Sequence, residues 1–185
     1  MGGGTAGEPS GDRSVWPNLL TGSRLLLGPL FAVVFSAAPG AAFVIALVAA
    51  ATDFVDGRLA RRLGVGSARG AVLDVVADAV FVLTGLGVLA SAGVLSVTLP
   101  IGAAVSLSAL GVAWWRGPAR VASQVRGWPD LVGHAAGILN YGAVLVGSGF
   151  VAFDVPIGLV HASQLVALLN VLPIVLRWLG RPSSG

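Results

Sequence analysis

Long stretches without any ionised side chain constrain the fold of this chain more than any other feature of its sequence. Asp, Glu, Lys and Arg are missing from residues 25–52, 79–115, 131–153 and 155–176. A helix needs about 20 mainly apolar residues to cross the hydrocarbon core of a bilayer. Only 10% of the residues are charged and mean hydropathy is +0.91, a composition that suits a polytopic membrane protein rather than a soluble domain. The sequence predicts an all-α integral membrane protein.

The apolar runs divide into six predicted transmembrane helices. The run 79–115 is long enough for two helices if the chain turns near Ser91 to Gly93. Residues 1–15 are rich in Gly and polar, which predicts a disordered tail, and residues 16–180 form one membrane domain. The predicted spans are 18–37, 41–63, 70–91, 95–115, 131–152 and 157–178. Separators containing Gly, Pro or Asp are predicted at Pro39-Gly40, 64–66, 91–93, Gly117-Pro118 and 154–156.

The arginines predict which side of the membrane each loop occupies. With six spans and a cytoplasmic amino terminus, all eleven arginines fall at the two termini or in the two cytoplasmic loops. The other loops hold no arginine, and one of them holds Asp154. This split follows the positive-inside rule and predicts that both termini are cytoplasmic. The arginines lie at 13 and 24, at 58, 61, 62 and 69, at 116, 120 and 126, and at 177 and 181.

Half of the eight acidic residues lie in one segment, which is the predicted active site. Asp53 and Asp56 are three residues apart near the inside end of span 2, and Asp74 and Asp78 are four apart in span 3. Each spacing places its pair on one helix face. The two spans are antiparallel neighbours, so the pairs can converge. Ionised groups at membrane depth are costly and are usually functional.

Converging carboxylates predict a bound metal ion. Four negative charges in a low dielectric repel one another strongly unless a cation lies between them. Ligand sets made only of oxygen favour Mg²⁺ or Mn²⁺. Such a metal at a membrane surface suits a substrate that carries phosphate groups, because it neutralises their oxygens. The small residues Gly57, Ala60 and Gly70 would allow close approach of a ligand, and Arg61 could pair with a phosphate.

The segment 53–78 resembles the signature of the CDP-alcohol phosphatidyltransferases. Its residues follow the pattern Asp-x2-Asp-Gly-x2-Ala-Arg-x8-Gly-x3-Asp-x3-Asp, with every fixed position present. The six predicted spans also resemble the architecture of that family, and the opening Pro17-Asn18 to Arg24 with Pro29 looks like its first helix. The matching positions are Asp53, Asp56, Gly57, Ala60, Arg61, Gly70, Asp74 and Asp78.

The resemblance implies a role for each of these residues. Asp78 would be the general base that takes the proton from the acceptor hydroxyl. The metal ligands would be Asp53, Asp56, Asp74 and Asp78. The cytidine diphosphate group would be held by Asp53, Gly57, Ala60, Arg61 and Gly70. The donor would be CDP-diacylglycerol, and CMP would leave when the acceptor attacks the phosphorus that bears the lipid.

The acceptor alcohol is open between several small molecules. Glycerol 3-phosphate is the first choice, because the opening of span 1 looks like the phosphatidylglycerophosphate synthases and the loop between spans 4 and 5 carries Arg116, Arg120 and Arg126. Val75 and Ala79 depart from that branch, which usually has proline and lysine there. Inositol phosphate, serine and phosphatidylglycerol stay as alternatives.

Two other classes fit the sequence less well. A Mg²⁺-dependent membrane prenyltransferase would need a second Asp-rich motif, whereas Asp130 and Asp154 are single residues. A cation transporter would favour acids near the bilayer midplane and an internal repeat, and neither is visible. The arginines form no patch interleaved with aromatics, so no nucleic-acid partner is predicted. The resemblance implies a homodimer, and the composition, rich in Ala and Arg and free of Lys, suggests a bacterial plasma membrane.

Overall fold

The described part of this computed structural model consists of six α-helices and contains no strand. It covers residues 15–63, 68–115, 128–155 and 159–179, with side chains described for 22–55, 73, 75–112, 135–155 and 159–176. In chain order the helices are α1 Val15–Phe35, α2 Pro39–Leu63, α3 Ala68–Ser91, α4 Thr98–Trp115, α5 Trp128–Ala152 and α6 Val160–Leu179. Residues 1–14 of the predicted tail lie outside the described residues, while Val15 already belongs to α1.

The six helices correspond to the six predicted spans, and their ends agree within three residues. One predicted separator is wrong, because Pro39-Gly40 forms the first turn of α2 and the chain turns at residues 36–38 instead. Proline fits the first helical position, since the N–H group that it lacks would have no partner inside the helix. Gly70, predicted to open the third span, is the third residue of α3. The separators at 64–66 and Gly117-Pro118 lie outside the described residues.

The turn predicted near Ser91 to Gly93 is present and ends α3. The N–H of Val94 donates to the carbonyl of Leu89 at 2.9 Å, and the N–H of Gly93 donates to that of Ala90 at 3.0 Å. These two bonds form a Schellman cap, which places its C′ residue in the left-handed region. Gly93 has φ 73° and fills that position without a Cβ clash. The chain can therefore reverse between two apolar helices without a charged loop.

The packing of the helices brings α1, α2, α3 and α5 together. Helix α1 packs against α2 and α3, α5 packs against α2, α3 and α6, and α4 packs against α3 and α6. The largest fully buried apolar side chains are Phe31, Phe81, Leu86, Leu89, Leu99 and Val144. Small side chains at Ala42, Ala46 and Ala49 line the buried face of α2, so that neighbouring helices can approach it closely.

By length and composition, one stretch within the described residues, Ala135–Ala152 of α5, could cross a membrane unaided. The other five helices contain apolar segments of fewer than 18 residues by the same measure. The prediction of six helices is thus confirmed for the residues that the structure describes, and the crossing of a membrane by each helix stays a prediction.

Candidate functional site

A buried arginine joins the two ends of the acidic segment. Nη1 of Arg24, in α1, lies 2.8 Å from Oδ1 of Asp53 in α2 and also contacts Oδ1 of Asp78 in α3. The Arg24 side chain has no solvent exposure, whereas the Asp53 and Asp78 side chains are 44% and 32% exposed. The guanidinium is therefore buried among the helices, whereas the two carboxylates that it contacts are partly exposed to solvent. This geometry shows that the first and last aspartates of the segment converge, as their spacing predicts.

A tyrosine from a fourth helix also reaches Asp78. The hydroxyl of Tyr141, in α5, donates to Oδ1 of Asp78 at 3.3 Å. The Tyr141 ring stacks on Phe81 with centroids 5.4 Å apart and an interplanar angle of 22°. Phe81 in turn meets Phe31 of α1 edge to face, with centroids 6.2 Å apart. The aromatic side chains under the site thus fix the direction from which the hydroxyl approaches Asp78.

Close contact between α1 and α3 sets the distance between Arg24 and Asp78. Gly28 lies one turn beyond Arg24, and Phe81 lies one turn beyond Asp78. A Cβ added at Gly28 would be 3.2 Å from the Cα of Phe81 and 3.4 Å from the carbonyl oxygen of Val80. Because these neighbours are backbone atoms, they cannot move aside without moving the helix. Glycine at position 28 therefore allows the approach that brings the guanidinium onto Asp78.

The remaining predicted site residues are placed only through their backbone. Asp56, Gly57, Ala60 and Arg61 lie in α2, downstream of Asp53, and Gly70 and Asp74 lie in α3, upstream of Asp78. Their side chains lie outside the described part of the structure. Within the described side chains there is no group of three His, Cys, Asp or Glu residues that could hold a metal. Of the four predicted carboxylates, the described side chains include Asp53 and Asp78, which converge on Arg24, and metal binding by the set stays a prediction.

Sequence reasoning missed two members of this site. Arg24 was counted among the cytoplasmic arginines, but it lies nine residues into α1 and is buried between helices. The signal for it was available, because an arginine directly before a 28-residue run without charges is expensive unless it has a carboxylate partner. Tyr141 lies in the charge-free run 131–153, and nothing in the sequence linked its hydroxyl to Asp78.

Several curated proteins are similar to this chain over part of its length. A protein from Pseudomonas fluorescens named CDP-diacylglycerol–glycerol-3-phosphate 3-phosphatidyltransferase is 42% identical over 103 residues, which cover 51% of this chain and 53% of the relative. Proteins of the same name from Escherichia coli K12 and Shigella flexneri serotype 5b are 49% identical over 70 residues, covering 36% of this chain and 38% of each relative. The chain thus matches about half or less of the length of these curated relatives.

The family itself is identified over a longer part of the chain. The sequence profile of the CDP-alcohol phosphatidyltransferases matches residues 14–160. This range includes the segment 53–78 together with Arg24 and Tyr141, and it extends over most of the 185 residues. The chain therefore belongs to the CDP-alcohol phosphatidyltransferase family.

Proposed function

We propose that this protein transfers a phosphatidyl group from CDP-diacylglycerol to a small alcohol and releases CMP. The observation that carries the proposal is the meeting of Asp53 and Asp78 at one cation, because it joins the two ends of the family signature across three helices. Glycerol 3-phosphate is the proposed acceptor, since relatives from three organisms bear the name of that activity. Val75 and Ala79 depart from the usual residues of that branch, so the acceptor needs a direct test.

The residues present suit a divalent metal ion, proposed as Mg²⁺ or Mn²⁺. Two carboxylate oxygens from different helices converge here, and carboxylate oxygen is the type of ligand that a hard cation prefers. The proposed ligands are Asp53, Asp56, Asp74 and Asp78. When bound, the metal would neutralise the pyrophosphate oxygens and the leaving group.

The side chains would then share the reaction as follows. Asp78 takes the proton from the acceptor hydroxyl, and the oxygen attacks the phosphorus that bears the lipid. The bond from that phosphorus to the bridging oxygen breaks, and CMP leaves with the bonding electrons. The proton held by Asp78 passes to solvent, which its 32% exposure allows. A positioned carboxylate of this kind contributes roughly 10²- to 10⁴-fold to a rate. Asp53, Gly57, Ala60, Arg61 and Gly70 would hold the cytidine diphosphate.

The proposal places the site at the cytoplasmic surface of a bacterial plasma membrane. Large apolar side chains cover much of the outer faces of the helices, as lipid contact would require, among them Leu26, Val33, Ile138, Leu165 and Leu168. The arginine distribution supports six crossings with both termini inside. In this arrangement the membrane domain begins one residue before the predicted range 16–180, at Val15, and the residues before it would form a tail. A homodimer is proposed from family resemblance, and light scattering of the protein in detergent would test it.

The first experiment measures CMP release from CDP-diacylglycerol by the purified full chain in detergent micelles. It is run with EDTA, Mg²⁺ or Mn²⁺, and with glycerol 3-phosphate, inositol 1-phosphate, serine or phosphatidylglycerol as acceptor. Asp78→Asn is compared with Asp154→Asn, because Asp154 is an exposed aspartate in the turn after α5, about 16 Å or more along that helix from Tyr141.

The expected result is metal-dependent release with glycerol 3-phosphate, lost in Asp78→Asn and kept in Asp154→Asn. CMP release with a different acceptor would support the proposed transferase reaction but show that glycerol 3-phosphate is not the acceptor. If folded protein releases no CMP with any of the four acceptors, the transferase proposal is wrong for this set of substrates.

A further inference from the structure

The position of Arg24 suggests more than a structural ion pair. A single nitrogen, Nη1, contacts one oxygen of Asp53 and one oxygen of Asp78. Both oxygens are Oδ1, and both aspartates are proposed metal ligands. The guanidinium and a divalent cation would therefore draw on the same two carboxylates.

Two cations that share carboxylates at this distance oppose each other. A guanidinium at hydrogen-bond distance from an oxygen takes up part of its negative charge, and a metal bound nearby feels the positive charge directly. Because the Arg24 side chain is fully buried, solvent screens this repulsion only in part. Hydrogen bonds to metal-binding carboxylates also orient them, which favours binding. The net sign depends on whether the charge of Arg24 or its orienting effect dominates.

The packing around Arg24 indicates that its charge dominates. The side chain is fully buried, and Gly28 holds α1 tightly against α3 one turn away. The guanidinium therefore has no room to withdraw far from the carboxylates when another cation arrives. Orientation of Asp78 does not depend on Arg24 alone, because the Tyr141 hydroxyl also donates to its Oδ1.

We propose that Arg24 is a positioning residue that draws Asp53 and Asp78 together and competes with the divalent metal for their oxygens. This inference rests on the metal site of the proposed function. Arg24 would thus keep the helices assembled at low metal concentration and would limit how tightly the metal binds. A site that binds its metal weakly responds to metal concentration, and the charge at position 24 would set that response.

The test measures Mn²⁺ binding directly, by the electron paramagnetic resonance signal of free Mn²⁺, on full-length protein stripped of metal with EDTA. Arg24→Gln removes the charge, Arg24→Lys keeps it, and Phe35→Leu is the matched control. Phe35 is a buried residue of α1, about 16 Å along the helix from Arg24, so its substitution perturbs packing without touching the carboxylates.

Arg24→Gln is expected to bind Mn²⁺ roughly tenfold more tightly than the original protein, because one unit of opposing charge is gone. Arg24→Lys and Phe35→Leu should stay within about twofold. Arg24→Gln should also unfold at a lower temperature in EDTA and gain more from added Mn²⁺ than the original protein does. Equal or weaker Mn²⁺ binding by Arg24→Gln would overturn the inference.

Two further outcomes separate this inference from the proposed function. If the original protein binds no Mn²⁺, both the metal site and the role of Arg24 are wrong. If Arg24→Gln does not fold even with Mn²⁺, the Mn²⁺ affinity of Arg24→Lys tests the inference instead. Binding more than tenfold weaker in that variant would mean that the shape of the guanidinium matters rather than its charge, and the inference would fall.

Discussion

Two of the polar clusters between the described helices differ in how their hydrogen-bonding groups find partners. The charged cluster consists of Arg24, Asp53, Asp78 and Tyr141. The amide pair consists of Asn140 in α5 and Asn170 in α6. In the amide pair each Nδ2 donates to the Oδ1 of the other residue, at 2.8 and 3.0 Å. The pair is neutral and closed on itself, whereas the charged cluster leaves both carboxylates partly exposed.

This difference separates a structural role from a functional one. Asn140 and Asn170 are only 6% and 2% exposed, and Nδ2 of Asn170 also donates to the Val166 carbonyl at 3.0 Å. Because both amides are buried and bonded to each other, the pair stabilises and aligns α5 against α6. The carboxylates of the charged cluster are open to solvent, which a substrate or metal needs. In these two clusters, polar groups that bond only within the protein have a structural role, whereas polar groups that stay partly exposed can bind a ligand.

The largest predicted effect on activity comes from replacing a carboxylate of the charged cluster with an amide, the group found in the amide pair. Asp78→Asn replaces the proposed general base with an amide that cannot take a proton. We expect kcat for CMP release to fall by about 10²- to 10⁴-fold. The measurement is the initial rate at saturating donor and acceptor. A variant that keeps more than a tenth of the original rate would contradict the role of Asp78.

The helices were largely predictable from the sequence because their signal is local. Charge-free runs, a glycine turn after Ser91 and the placement of arginines located all six helices within three residues. The error at Pro39-Gly40 came from treating proline as a break when it stood at a helix start. Proline is compatible both with a break between helices and with the first position of a helix. Here the break lies in the three residues before Pro39.

The charged cluster was only half predictable because its partners are distant in sequence. Helical spacing put Asp53 and Asp78 near one another, but Arg24 lies 29 and 54 residues from them, and Tyr141 lies 63 residues from Asp78. No periodic pattern links positions so far apart. Their meeting depends on how α1 and α5 pack against α3, which is decided by close contacts such as that of Gly28 with Phe81.

Breaking the amide pair tests the structural side of the comparison. Asn140→Leu leaves the buried Oδ1 of Asn170 without its donor, and we expect a loss of about 2 kcal/mol in the free energy of unfolding. Asn140→Leu with Asn170→Leu removes both polar groups and should recover much of that loss. Reversible unfolding in mixed detergent and SDS measures both. A double variant that is less stable than Asn140→Leu would show that the Asn140–Asn170 pair contributes more to stability than the pairing of its own buried polar groups.

The contact between α1 and α3 can be loosened without changing any polar atom. Gly28→Ala forces a Cβ against the backbone of Phe81 and should cost roughly 1 to 2 kcal/mol in the free energy of unfolding, with a lower CMP release rate. Gly22→Ala is the matched control in the same helix, because a Cβ there meets nothing within 4 Å. That variant should be neutral or slightly more stable. Equal effects at both positions would mean that close approach at Gly28 does not position Arg24.

The smallest predicted effect isolates the hydroxyl of Tyr141. Tyr141→Phe keeps the ring on Phe81 and removes only the hydrogen bond to Asp78. Since one such bond contributes about 1 kcal/mol, we expect a three- to tenfold fall in kcat, with KM for CDP-diacylglycerol within twofold. Tyr141→Leu removes the stack as well and should also lower the unfolding temperature. If Tyr141→Phe matched the original protein in kcat while Tyr141→Leu lost stability, Tyr141 would belong with Asn140 and Asn170 as a packing element. A fall in kcat without a fall in stability would instead place it with Arg24, as a residue that acts through Asp78.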